Sequence, residues 1–184
     1  GLGQDKFENL KAGYSYMIGH PGKKLLFMGQ DFGQYQEWSE ERELDWYLLG
    51  EQNHQQLQNY VKELLKMYKK YPALYANDSN YQGLEWINAD DASRSIYSFV
   101  RWSPTGRNNL LFVINYTPVA RDDYRVGVPK RKQYKLILNS KEPEFGGDVH
   151  KEVVDYKAVK KECDGRPFSF AYPLPAYGVA VFRF

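Results

Sequence analysis

Within residues 30–50 the chain carries two acid–tryptophan pairs, Glu37-Trp38 and Asp45-Trp46, preceded by a turn that holds Asp31 and Gln34. A carboxylate accepts hydrogen bonds from hydroxyl groups, and an indole face takes up apolar C–H surface. Each pair therefore suits a sugar. A structural role competes with this one, in which both tryptophans pack the loop onto the body of the protein. Trp46 is followed by Tyr47-Leu48-Leu49, and that apolar context favours packing. Trp38, between Glu37 and Ser39, is expected to be partly exposed. Asp31 has two open readings: it accepts from a sugar hydroxyl or orients a neighbouring group, or it pins its own loop through backbone amides. Gly29 and Gly33 on either side permit a tight backbone path.

Little else in the chain has the spacing of a reaction centre. A single cysteine, Cys163, has no nearby base and reads as an inert thiol. It also excludes an intramolecular disulfide, which is compatible with a reducing cytoplasm, the expected location. His20, His54 and His150 are too scattered to be metal ligands, so no metal or other cofactor is expected. Asp122-Asp123 could hold a cation but reads as a solvated turn. The net charge of +2 comes from mixed acids and bases, without the basic stripe a nucleic-acid surface needs. Pro129-Lys130-Arg131-Lys132 is the nearest approach and reads as a turn. No secretory leader or membrane-spanning run is apparent, so no membrane partner is expected.

These residues must be positioned by elements of two kinds. Residues 5–18 place Phe7, Leu10, Tyr14, Met17 and Ile18 at helical spacing, and Gly19-His20-Pro21-Gly22 stops that helix. Residues 25–28 form an unbroken apolar run, expected to be a parallel strand covered on both faces. Residues 53–70 form the clearest helix, with Leu57, Tyr60, Val61, Leu64, Leu65 and Tyr68 on one face, Asn53 as N-cap, and Tyr71-Pro72 as its end. Beyond residues 77–80 the period changes to alternation. Strands are predicted at 84–87, 95–102, 110–116, 124–128, 134–138, 168–172 and 179–184, with turn residues between them, the pattern of an antiparallel sandwich. Trp86 and Trp102 fall in strands and read as core. Tyr81, Tyr116 and Tyr177 lie near strand ends, where a surface sugar site is a weaker possibility. The division is thus 1–80 and 81–184.

Several runs, in order along nearly the whole chain, resemble the 1,4-α-glucan (glycogen) branching enzymes of the α-amylase superfamily. They include His20-Pro21-Gly22-Lys23-Lys24-Leu25-Leu26-Phe27-Met28-Gly29, Asp31-Phe32, Glu37-Trp38, Leu44-Asp45-Trp46, Tyr71-Pro72-Ala73-Leu74, Asn115-Tyr116-Thr117-Pro118-Val119 and Arg121-Asp122-Asp123-Tyr124. The resemblance implies an α+β fragment: the last helix-strand-helix of a (β/α)8 barrel, then an all-β antiparallel sandwich as C-terminal domain. Residues 7–18 would be the seventh helix, 24–28 the eighth strand and 53–70 the eighth helix.

On this reading the full protein moves an α-1,4-linked glucan segment into an α-1,6 linkage, acting on glycogen or amylose. The catalytic carboxylates of that chemistry follow the fourth, fifth and seventh barrel strands. None is assignable here, and the chain alone is expected to be inactive. Barrel enzymes place their sites at the C-terminal ends of the strands. Asp31, Gln34, Glu37, Trp38, Asp45 and Trp46 would then lie on the substrate-binding rim. Apolar surface around residues 25–28 would be exposed without the rest of the barrel, and would repack onto the sandwich or be covered by a second copy. A non-catalytic sugar-binding module, a purely structural β domain, and the C-terminus of a debranching or trehalose-releasing relative are the alternatives.

Overall fold

The computed structural model describes residues 3–150 and 153–184. Two helices, α1 (Gln4–Gly19) and α2 (Gln52–Lys70), precede eight strands. These are β1 (Leu84–Asn88), β2 (Ile96–Arg101), β3 (Leu110–Asn115), β4 (Arg121–Val128), β5 (Gln133–Asn139), β6 (Asp155–Lys157), β7 (Phe168–Leu174) and β8 (Val179–Arg183). Six strands form one antiparallel sheet in the order β1-β2-β3-β8-β5-β6, and β4 pairs with β7 in a second. The seven strands predicted from alternation are all present. The eighth, β6, escaped notice because three residues are too short for a period to show.

Both faces of the large sheet are covered, one by the β4–β7 pair and the other by the helices. Strand alternation sorts the side chains accordingly. Leu111, Val113, Ala180 and Phe182 join Val126, Val128, Phe170 and Tyr172 in the core between the sheets. Phe99, Phe112, Ile114, Val179 and Val181 point the other way, onto Ala12, Ile18, Tyr60 and Leu64 of the helices. A strand covered on both sides loses its polar face. Accordingly β3, Leu110–Asn115, is buried at every position.

Helix α1 buries a more polar face than its apolar spacing suggested. Glu8, Lys11 and Ser15 are inside, while Leu10, Tyr14 and Met17 are only half-buried. The reason is the backbone opposite. Lys11 Nζ bonds Glu8 at 2.7 Å and donates to the carbonyls of Ser140 and Phe145, satisfying acceptors that would otherwise be buried alone. Burial lowers the Lys11 pKa, and the Glu8 charge opposes that shift. Lys141 closes the group with an ion pair to the second Glu8 oxygen at 2.9 Å. In α2 the predicted face is buried except for Leu65, which is 38% exposed, and Tyr68, which is half-buried, and Met67 takes part as well. Asn53 does not cap α2; the cap position is Glu51, without a side-chain capping bond. Tyr71 ends the helix as expected.

The largest correction concerns residues 24–28, which form no strand. Leu25, Phe27 and Met28 are 74%, 47% and 46% exposed rather than covered on both faces. A strand draws its hydrogen bonds from a neighbour, and no strand among the described residues pairs with this run. The chain instead turns back: the Phe27 amide donates to Gln30 Oε1 at 2.8 Å and the Gln30 amide to the Phe27 carbonyl at 3.0 Å. Among the described residues no helix is long and apolar enough to cross a membrane.

Candidate functional site

The loop that follows is held tightly at its root. A short 3-10 turn, Gln30–Phe32, lies between Gly29 and Gly33, both in the left-handed region at φ 82° and 71°. That conformation favours glycine, and a Cβ on Gly33 would stand 2.9 Å from Leu57 Cδ2. Phe32 is fully buried, and its carbonyl oxygen accepts from His54 Nδ1 at 2.7 Å. The imidazole is itself buried, edge-on to Phe7 and Tyr35 with centroids 4.9 and 4.8 Å away. His54 therefore ties the loop to α2, a role that sequence reasoning missed. The available signal was its place on the apolar face, three residues before Leu57.

The six predicted residues divide into anchors and presented groups. Asp31 accepts from Gln58 Nε2 of α2 at 3.1 Å, so its partner is a helix side chain and not the local amides. Gln34 is a brace: its Oε1 accepts the Asp45 amide at 2.8 Å, and its Nε2 donates to the Gln36 carbonyl at 3.0 Å. Asp45 is 9% exposed, and its buried Oδ2 has no hydrogen-bond partner among the described residues. The Glu37 carbonyl accepts from the Arg42 guanidinium, while its side chain is exposed.

Trp38 is 42% exposed, as anticipated, with its ring edge-on to Phe27 at 5.3 Å. Trp46 does not pack as its apolar neighbours suggested. It is 51% exposed, leaning on Phe32 at 5.6 Å, while Leu48 two residues later is the buried member of that run.

Gln34, Glu37 and Trp38 meet in one open cleft of about 490 Å³, whose walls also include Phe27, Met28 and Tyr35 and the amides Gln30 and Gln36. Asp31 and Asp45 stand behind it as supports, and Trp46 does not line it. The cleft offers an aromatic wall, an exposed carboxylate and amide groups, a set that binds a neutral hydroxylated ligand. Among the described residues there is no cluster of three metal-ligating side chains. No hydrogen bond joins any two of Asp31, Glu37 and Asp45.

Other predicted positions fall as follows. Trp86 and Trp102 are half-buried, Trp86 against the helix-side core and Trp102 against the inter-sheet core. The Cys163 thiol is half-buried, donates to the Arg125 carbonyl, and burial pushes its pKa up, which suits an inert group. Asp122 and Asp123 are exposed at the start of β4, and Tyr81 is 88% exposed.

Comparison with known proteins agrees with this architecture. The chain is 52% identical over 180 residues to the 1,4-alpha-glucan branching enzyme GlgB of Butyrivibrio fibrisolvens, covering 98% of this chain and 28% of that protein. It is 41% identical over 178 residues to the enzyme of the same name from Halothermothrix orenii, again covering 28% of it. The chain thus spans about 28% of the length of these curated relatives. A solved structure, Ttha1563 from Thermus thermophilus, shares the fold over 96% of this chain and 31% of that one, with a TM-score of 0.52 at 19% identity. Residues 86–184 match the family described as the alpha amylase, C-terminal all-beta domain. That stretch contains the whole sandwich from Trp86 of β1 onward, and the chain belongs to this family of C-terminal all-β domains.

Proposed function

We propose that this chain is the C-terminal part of a 1,4-α-glucan branching enzyme, in which residues 81–184 are the all-β C-terminal domain and residues 1–80 the end of a (β/α)8 catalytic barrel. The observation that carries the reading is the near end-to-end similarity to enzymes of that name, which runs through both helices and the loop between them. In the whole protein a glucan segment is cut at an α-1,4 link and rejoined through an α-1,6 link. The retaining version of that chemistry needs two carboxyl groups about 5 Å apart across the scissile bond. The Asp31 carboxylate is taken up by Gln58, and the resemblance puts the catalytic carboxyl groups after earlier barrel strands, so the catalytic pair is assigned to residues outside this chain, and the chain alone is inactive.

The role of the loop follows from its geometry. Trp38 supplies a face for a glucose ring and Glu37 and Gln34 supply hydrogen-bond partners. Asp31, Asp45 and Trp46 hold or extend that rim. The exposed Leu25, Phe27 and Met28 support the barrel reading, since they are apolar surface that further chain or a second copy would cover. The single cysteine and the glucan substrate suit a cytoplasmic enzyme.

Steady-state kinetics of the full-length protein carrying Trp38→Ala test the loop assignment. Loss of one aromatic platform is expected to raise KM for amylose about tenfold, the equivalent of about 1.4 kcal/mol, with an unchanged thermal midpoint. An unchanged KM would remove Trp38 from the substrate path.

A further inference from the structure

The segment between α1 and α2 carries almost no positive charge of its own. Between Lys24 and Lys62 the only lysine or arginine is Arg42, against seven aspartates and glutamates, five of them within residues 37–45. The Arg42 guanidinium is engaged by the Glu37 carbonyl. Glu37, Glu40, Glu41 and Glu43 are exposed, so water solvates their charges. Asp45 is the member of the series that has gone inside.

Its carboxylate has no counterpart there. Asp45 is 9% exposed, and no donor among the described residues bonds either carboxylate oxygen, Oδ2 being shut off from solvent as well. The residue stands at the N-cap of the 3-10 turn Trp46–Gly50, a position where an aspartate commonly caps, yet it makes no side-chain capping bond. The backbone also holds it in place. Its amide donates to Gln34 Oε1 at 2.8 Å, and its carbonyl accepts the Leu48 amide at 2.9 Å. A buried carboxylate is strongly unfavourable until a cation or several donors reach it.

The surface around Asp45 points to what is missing. Trp46 and Tyr47, the next two residues, are 51% and 67% exposed. An enclosed acid beside exposed aromatic rings is one half of an interface, whose other half brings apolar cover and a counter-charge. A sugar hydroxyl does not suffice, since it is neutral and Asp45 does not line the Trp38 cleft. A metal ion would need further ligands, and the described residues hold no cluster of three ligating side chains. A guanidinium or ammonium group both cancels the charge and donates to the oxygens.

We propose that Asp45 receives an arginine or lysine side chain from the part of the protein outside this chain, and that the ion pair seats residues 37–50 against it. The source of the cation rests on the branching-enzyme reading, in which a barrel precedes this chain and the relatives extend far beyond the 28% of their length matched here. The need for a cation rests on Asp45 alone. Gln34 connects the pair to the substrate loop, because the side chain that braces Asp45 also lines the Trp38 cleft. Asp45 is therefore a positioning residue: it acts on the cleft through Gln34 and does not touch the ligand.

Asp45→Asn, which keeps the shape and removes the charge, tests the proposal in the full-length protein and in this chain alone. In the full-length protein the cation is left buried and unpaired, so the thermal midpoint falls. In the chain alone a lone buried charge is removed, so the midpoint rises by about 2–4 °C. Opposite signs are the expected result. Trypsin gives a second readout, because Arg42 is its one cleavage site between Lys24 and Lys62. The full-length variant should be cut there about tenfold faster, and its KM for amylose should rise about fivefold at unchanged kcat. Where the chain alone gives no cooperative melt, the tryptic rate of the full-length protein decides. A midpoint of the chain alone that fails to rise, or a full-length midpoint and tryptic rate that both stay unchanged, would overturn the proposal. A raised KM with both unchanged would assign Asp45 to the substrate and overturn it too. The stability and trypsin readouts are independent of glucan chemistry, so the branching-enzyme reading stands or falls separately, on the linkages formed.

Discussion

Arg101 shows how much one residue can organise. It is fully buried, yet its guanidinium reaches the Gly83 carbonyl at 3.1 Å, the Gly19 carbonyl at 2.6 Å and Asp78 at 2.6 Å. It thereby joins the end of α1, the segment after α2 and strand β2. Removing it leaves Asp78 and the Gly19 carbonyl without their guanidinium partner, while the Gly83 carbonyl keeps the Trp102 amide at 3.0 Å. Arg101→Ala is expected to cost about 3–5 kcal/mol in urea unfolding. Arg101→Lys should restore little, because a single ammonium cannot span the same three acceptors; full rescue by lysine would refute the fork geometry. Lys24 gives a pH-dependent signature nearby. It donates to the His20 carbonyl and lies 5.5 Å from the centre of the Tyr68 ring, and burial lowers its pKa from 10.5 to about 8, against the opposing pull of Asp78. Between pH 8 and 10.5 the unfolded chain keeps a proton that the folded chain has shed. Stability from this group therefore rises with pH across that window. The rise should vanish in Lys24→Met when denaturant midpoints are compared at pH 8 and 10. Neither role was legible in the sequence, since nothing local to Arg101 or Lys24 marks a charged residue for burial. The exposed Trp38 was legible from its polar neighbours. The exposed Trp46 was not, because Leu48 rather than the indole carries its segment inward.

At the scale of elements, β5 alternates visibly and α2 declares its stripe. Strands β3 and β8 are buried almost throughout, and short apolar runs bounded by turn residues marked them instead. Helix α1 misled because its packing face carries Glu8, Lys11 and Ser15, polar groups made acceptable by partners far along the chain. Residues 24–28 misled for the opposite reason: a short apolar run reports only hydrophobicity, and pairing depends on what lies beside it. The contact between α1 and the sheet is close enough to test. A Cβ on Gly19 would lie 2.8 Å from both Phe99 and Phe112, whose rings are stacked 5.0 Å apart and buried. Neither ring has room to withdraw. Gly19→Ala is expected to destabilise the chain by about 1–3 kcal/mol in urea unfolding, whereas a neutral effect would show that the α1–sheet seam can open.

At the scale of the whole molecule, the large sheet is a middle layer, with the β4–β7 pair on one side and the two helices on the other. The boundary drawn near residue 80 separates helical from strand-forming sequence, but the helix-side core runs across it, from Ala12 and Tyr60 to Phe112 and Val181. In the branching-enzyme reading this layer fixes the loop of Trp38 relative to the sandwich: α1 and α2 hold the loop through Tyr14 and His54, and the sheet holds the helices. The reading makes a definite statement about chemistry, which a linkage assay of the full-length gene product on amylose decides, with this chain assayed alone beside it. The full-length protein should create α-1,6 branch points and lower iodine staining without releasing new reducing ends, and the chain alone should do neither. Reducing ends released in step with the loss of staining, or branch points formed by the isolated chain, would contradict the account.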